Sequence, residues 1–527
     1  MIHDLPERLN ATDVFIDRHL REGRHRDLAI IDAGDDTSYS YGELADGVDR
    51  FAAALVHCLD ARPEERALLL LQDSAAFACC FFGAIKVGVV PVPVSTLLKP
   101  SDYEVLCDDS RARILIVSAA LLPSITPVLG GLRYLRHLVI VGPASLPENA
   151  LLSVHDYAAL CAKHAGSRVA TFDARRDDAC FWLYTSGTTG RPKAAIHLQH
   201  DMIVCAEAYA RGVLDLRPED RTYSVARLFF AYGLGNALYF PLYVGASTIL
   251  HPDKPTPQRA LELASKHRAT VFFGVPTAYA AICALSEAER RAFDLQALRL
   301  AVSAGEALPP ALYEKWRTRF GCELLDGIGS TEALHIFISN RPNDVLPGSS
   351  GKLVAGYRAR VVDDANADVA PGVVGDLLIA GDSICAGYWN QQQRSQATFI
   401  GEWARTGDKY LCDAHGYYHY QGRSDDMLKA GGIWVSPTEV EAALAEHPAI
   451  LECAVVGQAD AHGLIKPKAF VVLRDDAPRP TAEDLEAFAR KRLAAYKLPR
   501  SFETVAALPK TATGKIQRYL LRTSAVS

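Results

Sequence analysis

One feature constrains this fold above all others: buried-looking apolar runs alternate with amphipathic stretches. The apolar runs lie at 67–71, 89–94, 114–117, 138–141, 270–274 and 298–301, and helical patterns such as 41–59 and 257–267 lie between them. A strand that is apolar on both faces must be covered on both faces, and an intervening helix brings the next strand back parallel. The chain is therefore expected to be α/β, with a large N-terminal domain of helix-covered sheets over 1–422. From about Gly348 the texture shifts to short strands with glycine-rich turns (358–362, 375–380, 416–421), which predicts a small β-rich subdomain at 348–422. The final hundred residues change again. A helix at 436–446 opens with Ser436-Pro437-Thr438-Glu439, strands follow at 450–457 and 469–473, and a helix at 481–493 starts on Thr481 with Asp484 in its first turn. That predicts a compact α+β C-terminal domain over 423–527, joined where glycines and charges cluster at 422–432.

Composition narrows the function. With 56 Lys+Arg against 62 Asp+Glu the net charge is −6, which argues against nucleic acid or an anionic membrane as main partner. The first ten residues, MIHDLPERLN, lack an apolar core, so no secretory signal is expected. The longest apolar stretch, 77–94, is broken by Gly83, Lys86, Gly88, Pro91 and Pro93; a buried helix running into a strand suits it better than a membrane span. The 12 cysteines include no CxxC pair and sit among apolar neighbours, as reduced core residues of a cytoplasmic protein would.

The chemistry-bearing stretch is Tyr184-Thr185-Ser186-Gly187-Thr188-Thr189-Gly190-Arg191-Pro192-Lys193. Four hydroxyls, two glycines and a lysine lie within nine residues, between an apolar run at 180–183 and a second short strand at 194–198. Glycines let backbone N–H groups turn toward an anion, hydroxyls donate, and the lysine supplies charge, so a polyphosphate is the expected ligand. The GxxxxGK[ST] spacing is absent, since Ala194 follows the lysine. A Ser/Thr/Gly-rich stretch without the lysine would be read as a plain hairpin turn.

Further motifs follow in order: Ser303-Ala304-Gly305-Glu306-Ala307-Leu308-Pro309, Asp326-Gly327-Ile328-Gly329-Ser330-Thr331-Glu332, Arg405-Thr406-Gly407-Asp408, Gly422-Arg423-Ser424-Asp425-Asp426-Met427-Leu428-Lys429 and Pro509-Lys510-Thr511-Ala512-Thr513-Gly514-Lys515. Together with the 184–193 loop they resemble the adenylate-forming superfamily of acyl- and aryl-CoA synthetases, adenylation domains and luciferases. Ile328 stands where that family commonly has tyrosine. The resemblance implies ATP, Mg²⁺ and coenzyme A as cofactors and co-substrates. It implies that Thr185, Ser186, Gly187, Thr188, Thr189, Gly190 and Lys193 hold the β- and γ-phosphates. Thr331 would donate to the α-phosphate and Glu332 would hold the metal. Ala304, Gly305, Glu306, Asp326 and Tyr420 would sit on the nucleoside side, with Asp408 and Arg423 on the ribose. It also implies a mobile C-terminal domain pivoting near Asp425, which presents Lys515 to the reacting phosphate and then withdraws it. Gly431, Gly432 and Trp434 would line the pantetheine tunnel.

The stretch Arg227-Leu228-Phe229-Phe230-Ala231-Tyr232-Gly233-Leu234-Gly235-Asn236 resembles the benzoate-CoA ligase branch. By that likeness Phe230 gates the site. Ala231, Tyr232, Gly327, Gly329 and Ile336 shape a flat slot suited to a planar ring, and His335 faces the carboxylate end. Phe229 and Phe337 are read as core. The polar tips of Tyr232 and His335 leave benzoate, aminobenzoates and hydroxybenzoates open, and the lack of an acid in 229–236 disfavours an α-amino acid. The expected activity is an aryl-CoA ligase working through an aryl-AMP, as a monomer or homodimer. Loading of an acyl carrier protein, a luciferase-like monooxygenase and a non-catalytic nucleotide sensor are the competing expectations. The sequence ends soon after Lys515 with no carrier domain, which favours a diffusible thiol.

Overall fold

Several of the helices begin where a side chain satisfies free backbone N–H groups. Ser40 and Glu43 form a reciprocal capping box at the start of Tyr41–His57, Ser74 caps Ala75–Lys86, and Thr256 precedes Pro257–Lys266 with proline in its first turn. The computed structural model describes residues 4–144, 152–185, 192–424, 428–430, 433–459, 465–475, 477–493, 497–510 and 516–524. They form two compact units. The first comprises Met1–Pro347, Gly351–Arg358 and Ala380–Ala404; the second comprises Gly348–Ser350, Ala359–Ile379 and Arg405–Ser527.

The first unit is built on two twisted sheets and a hairpin. In a five-stranded sheet Val90–Pro93, Arg66–Leu70, Ile114–Ser118, His137–Val141 and Ser153–Asp156 lie side by side, all parallel. A nine-stranded sheet has a parallel centre: Glu323–Gly329, Leu300–Ser303, Val271–Gly274, Arg221–Ser224, Ser247–Leu250 and Leu28–Asp32 in that order. Antiparallel strands close both of its edges. The alternation in the sequence is thus realised as parallel sheets, with boundaries shifted by one or two residues. The 77–94 stretch is the helix Ala75–Lys86 followed by the strand Val90–Pro93. Lys86, the charge that interrupts it, is buried and held by Asp49 at 2.7 Å and Asp17 at 3.0 Å, so a buried cation is matched by two carboxylates. Among the described residues no helix is long and apolar enough to cross a membrane. All twelve cysteines are free, nine of them buried.

In the second unit the strands Arg358–Val362 and Gly375–Ala380 appear where expected. The 416–421 run is Tyr418–Arg423, and it pairs antiparallel with Trp403–Cys412. That ten-residue strand escaped the sequence reading because Arg405, Thr406, Gly407, Asp408 and Lys409 break its apolar alternation. In the tail, Pro437–Ala445 is capped by Ser436 and Ala482–Arg490 by the Thr481–Asp484 box. The two helices accompany an antiparallel pair, Ile450–Ala459 with Ile465–Leu473, extended by Ser501–Thr504 in parallel. Glu441 accepts both Arg518 (2.7 Å) and the Val455 backbone N–H (2.7 Å), which ties the last helix to the sheet.

Candidate active site

The phosphate-type stretch sits on a β-hairpin. Ala179–Thr185 and Lys193–Leu198 pair antiparallel, with Thr185 opposite Lys193, so the two ends of the glycine- and hydroxyl-rich loop are fixed together. Ser186, Gly187, Thr188, Thr189 and Gly190 lie outside the described residues. The hairpin is anchored by Tyr184, whose hydroxyl donates to Asp109 at 2.6 Å, and by Trp182 packed on Trp389.

A strand alternates its side chains, so Lys193 and His197 project from the same face. Both reach one turn, Ser330–His335, which joins Glu323–Gly329 to Ile336–Ser339. Lys193 Nζ lies 3.0 Å from Glu332 Oε1 and 2.7 Å from the Tyr388 hydroxyl, while that hydroxyl donates to Glu332 Oε1 at 2.6 Å. His197 Nε2 donates to the Thr331 carbonyl at 2.9 Å, and its Nδ1 is held by Asp201 at 2.7 Å; both side chains are fully buried. The turn is fixed further by Leu334 N–H to Thr331 O and Cys385 N–H to Glu332 O. Leu334 adopts φ +67°, a left-handed backbone that a branched residue rarely takes. Thr331-Glu332 is therefore a pinned hairpin tip and not a helix start.

Burial alone would raise the Glu332 carboxyl. The Lys193 charge and the hydrogen bonds from Tyr388 and Lys193 outweigh it and hold the group below the usual glutamate range. An ionised carboxylate with oxygen lone pairs to spare fits a hard cation such as Mg²⁺, which takes one or two protein carboxylates and completes its shell with phosphate and water. Among the described residues no cluster of three His, Cys, Asp or Glu could hold a metal by itself, so Glu332 would share the ion with its ligand.

Next along the sheet, Ser303 and Asp326 face each other in register at the carboxyl ends of adjacent parallel strands, the end where open α/β sheets bind ligands. Both are buried. Among the described residues Ser303 Oγ and Asp326 Oδ1 make no well-formed hydrogen bond; Asp326 Oδ2 accepts a long contact from Leu308 N–H, and the Ser303 hydroxyl and Gly327 N–H lie near the carboxylate. Burial pushes the Asp326 carboxyl well up. Two unsatisfied buried polar atoms at a strand end suit a donor- and acceptor-bearing ring such as adenine. Ala304 is buried beside them, Gly305 is exposed at φ +95°, and Glu306 is half-buried.

The aromatic stretch forms the short helix Ala231–Leu234 after Phe230. Tyr232 turns its hydroxyl into the sheet, toward the carbonyls of Val302 (2.9 Å) and Gly274 (3.1 Å). His335 is buried, lowered by desolvation to about 3 and hence neutral, with Nε2 3.0 Å from Asn236 Oδ1. The Tyr232 hydroxyl and His335 Nε2 are engaged within the fold, while His335 Nδ1 and Asn236 Nδ2 are buried with no hydrogen-bond partner among the described residues. Phe240, Tyr209 and Tyr232 surround the imidazole, at 4.4, 5.4 and 5.5 Å between ring centres. Gly235 permits this: a Cβ there would stand 2.5 Å from His335 Cδ2. Gly327 is close-packed as well: a Cβ there would stand 2.9 Å from both Ile336 Cγ2 and Ile338 O. Phe230 is half-buried; Ala231 and Ile336 are buried, as are Phe229 and Phe337.

In the second unit Asp408 and Arg423 are cross-strand partners, 3.1 Å apart, and Arg423 also donates to Thr406 O. Tyr420 packs edge-on against Tyr410. Lys510 forms a surface pair with Glu452 (2.6 Å), and its bridge to Ile516 brackets 511–515. Lys515, Asp425, Gly431 and Gly432 lie outside the described residues. Trp434 lies on the strand Ile433–Val435.

Sequence reasoning missed Tyr388, His197 and Asp201. His197 stands four residues after Lys193 on a strand, a same-face spacing that could have flagged it. Tyr388 is 195 residues from Lys193, and no local pattern reports such a meeting.

These features define a nucleotide-type site on an α/β scaffold. The family model described as AMP-binding enzyme matches residues 17–389, and that of the AMP-binding enzyme C-terminal domain matches 439–515. The chain belongs to this adenylate-forming family. It is 49% identical to a benzoate-CoA ligase of Thauera aromatica, covering 99% of this chain and 97% of that one. It is 43% identical to a 4-hydroxybenzoate-CoA/benzoate-CoA ligase of Rhodopseudomonas palustris, covering 97% and 94%. Among solved structures it resembles an anthranilate-CoA ligase in complex with anthranoyl-AMP, with TM-score 0.93 and 42% identity over 100% of this chain and 99% of that one. It also resembles a benzoate-CoA ligase from Burkholderia xenovorans LB400, with TM-score 0.87 and 44% identity over 98% and 99%.

Proposed function

We propose that this protein is an ATP-dependent aryl-CoA ligase acting on a benzoate-type acid through an aryl-AMP, with AMP and pyrophosphate as products. The observation that carries the reading is the Lys193–Glu332–Tyr388 constellation beside the empty-handed polar pair Ser303 and Asp326, on a chain half identical to a benzoate-CoA ligase.

A carboxylate has a poor leaving group. Its oxygen attacks the α-phosphorus of ATP, the bond to the bridging oxygen breaks, and pyrophosphate departs; the mixed anhydride then carries a good leaving group. This chemistry calls for positioned positive charge more than for covalent help. Lys193 and the 185–190 loop neutralise the β- and γ-phosphates, and Thr331 donates to the α-phosphate. Glu332 supplies the carboxylate for Mg²⁺, which when bound neutralises phosphate charge. Ser303 and Asp326, with Ala304, Gly305 and Glu306, hold the base. Asp408 accepts from the ribose hydroxyls, with Arg423 and Tyr420 beside it. Lys515 stabilises the charge developing at the α-phosphate.

The second half-reaction transfers the aryl group to the CoA thiol and releases AMP. We place the boundary between the N-terminal 1–422 and C-terminal 423–527 domains at a pivot near Asp425, with Gly431, Gly432 and Trp434 along the pantetheine path. The acid sits among Phe230, Ala231, Tyr232, Gly327, Gly329, His335 and Ile336. With the Tyr232 hydroxyl turned into the sheet and the walls at Gly235 and Gly327 close, this end selects by shape, and unsubstituted benzoate is the acid of choice. CoA, not a carrier protein, is the acceptor, and the cytoplasm is where it works.

The test is to incubate pure protein with ATP, Mg²⁺ and CoA over benzoate, aminobenzoates, hydroxybenzoates, cinnamate, short fatty acids and amino acids. Benzoyl-CoA and AMP in equal amounts are expected. No AMP and no thioester from any aromatic acid contradicts the proposal. Lys515→Ala is expected to abolish aryl-AMP formation yet spare thioester formation from supplied aryl-AMP; equal loss in both steps removes Lys515 from its role.

A further inference from the structure

Tyr388 belongs to none of the motifs above, yet its hydroxyl is the third vertex of a closed triangle. It accepts from Lys193 Nζ at 2.7 Å and donates to Glu332 Oε1 at 2.6 Å, while Lys193 and Glu332 stand 3.0 Å apart. Its ring also lies under the ammonium, 4.3 Å from centroid to Nζ. The residue is 5% exposed and fixed from several sides. The Tyr388 N–H donates to Ser395 Oγ, its ring packs on Phe399, and Thr398 meets its hydroxyl. On either side of it, the N–H groups of Ala386 and Trp389 donate to carbonyls of the strand Lys193–Leu198, and the Ile196 N–H donates to Gly387. Tyr388 therefore rides on an extended segment that is hydrogen-bonded to the Lys193 strand itself.

We propose that Tyr388 is a positioning residue for nucleotide binding. Lys193 and Glu332 already pair directly through Oε1, and a two-membered ion pair of this kind could swing as a unit. A hydroxyl that both accepts from the ammonium and donates to the carboxylate fixes the rotamer of each. The carboxylate keeps its second oxygen, and the ammonium its remaining protons, for phosphate and metal. Side chains held in their working geometry before binding need less ordering when the ligand arrives. The inference rests on the adenylation reading for the identity of the ligand, but the geometry is independent of which acid is activated.

Tyr388→Phe removes only the hydroxyl and keeps the ring under Lys193. Tyr388→Met, a second apolar replacement of similar reach, guards against a peculiarity of the first. Mg-ATP binding is measured by calorimetry with no acid present, alongside the KM values for ATP and benzoate, the thermal midpoint, and thioester formation from supplied benzoyl-AMP. Loss of hydrogen bonds to two charged groups is expected to weaken Mg-ATP binding and raise the ATP KM about tenfold or more. Benzoate KM and thioester formation from benzoyl-AMP should stay within about twofold, since neither needs the β- and γ-phosphates. Unchanged ATP affinity in both variants overturns the proposal. So does a uniform loss across all measurements with a lowered thermal midpoint, which would mark Tyr388 as a packing residue. A wild-type protein that makes no benzoyl-AMP contradicts the ligase reading instead, and the Mg-ATP titration still decides the role of Tyr388.

Discussion

The two ends of the first unit's site solve recognition in opposite ways. At the phosphate end charged groups are held in partial pairing: Lys193, Glu332 and Tyr388 share one network, and His197 clamps the same turn through its backbone. At the ring end the polar groups turn mostly to one another, His335 Nε2 to Asn236 and the Tyr232 hydroxyl to sheet carbonyls, with only the uncharged His335 Nδ1 and Asn236 Nδ2 left over, and glycines bring the walls close. The first end is specific through charge and tolerates shape; the second is specific through shape and offers no free charge. That division suits an enzyme that must bind the same nucleotide every turnover and one small flat acid.

If the division is real, substitutions at the two ends separate cleanly. The largest effect is expected from Glu332→Gln, which keeps the shape and removes the charge. Adenylate formation should fall by about 10² to 10³, as for other losses of transition-state charge stabilisation, with benzoate affinity unchanged in direct binding. A fall confined to benzoate affinity would break the comparison. Gly235→Ala comes next. Its Cβ would stand 2.5 Å from the His335 ring, so the imidazole must move, and the benzoate KM is expected to rise at least about tenfold with the ATP KM unchanged. Equal rises in both would show that the ends are mechanically coupled.

His197→Asn sharpens the phosphate end. Its loss frees the Thr331 carbonyl while Lys193–Glu332 remains, so a loss of about fivefold to tenfold in adenylation, smaller than for Glu332→Gln, is expected from one buried hydrogen bond. The last effect is on stability and leaves catalysis at neutral pH aside. His335 is lowered to about 3 in the folded protein against an ordinary 6.5. Between those values the unfolded chain binds the proton and the folded one does not, so stability drops as pH falls from about 6.5 toward 3, by up to about 1.4 kcal/mol per pH unit for this group. His335→Gln should flatten the decline of the thermal midpoint between pH 7 and pH 5; an unaltered slope would show that His335 protonates freely.

The sequence disclosed the first unit's parallel sheets because strands covered on both faces are written as plain apolar runs, as at 114–117 and 138–141. It disclosed the two strands of the 179–198 hairpin because short apolar runs flank the stretch where glycine, hydroxyl and lysine crowd together. Trp403–Cys412 stayed hidden because its run of charged and polar residues, 405–409, erases the alternation that marks a strand. Tyr388 and Asp201 stayed hidden because their roles exist only through contacts with the 193–198 strand and the 330–335 turn. The direction of the Tyr232 hydroxyl was beyond reach as well, since a residue's type gives its chemistry but not which way its tip is turned.

The central claim is that this site makes an aryl-AMP before any thiol takes part. It is met most directly by a single-turnover experiment with protein in excess over ATP, with Mg²⁺ and carboxyl-labelled benzoate and without CoA. One pyrophosphate per ATP and label retained on the protein as benzoyl-AMP, discharged to thioester when CoA is added, is the expected result. Pyrophosphate or AMP that appears only when CoA is present, with no labelled adenylate beforehand, would contradict it.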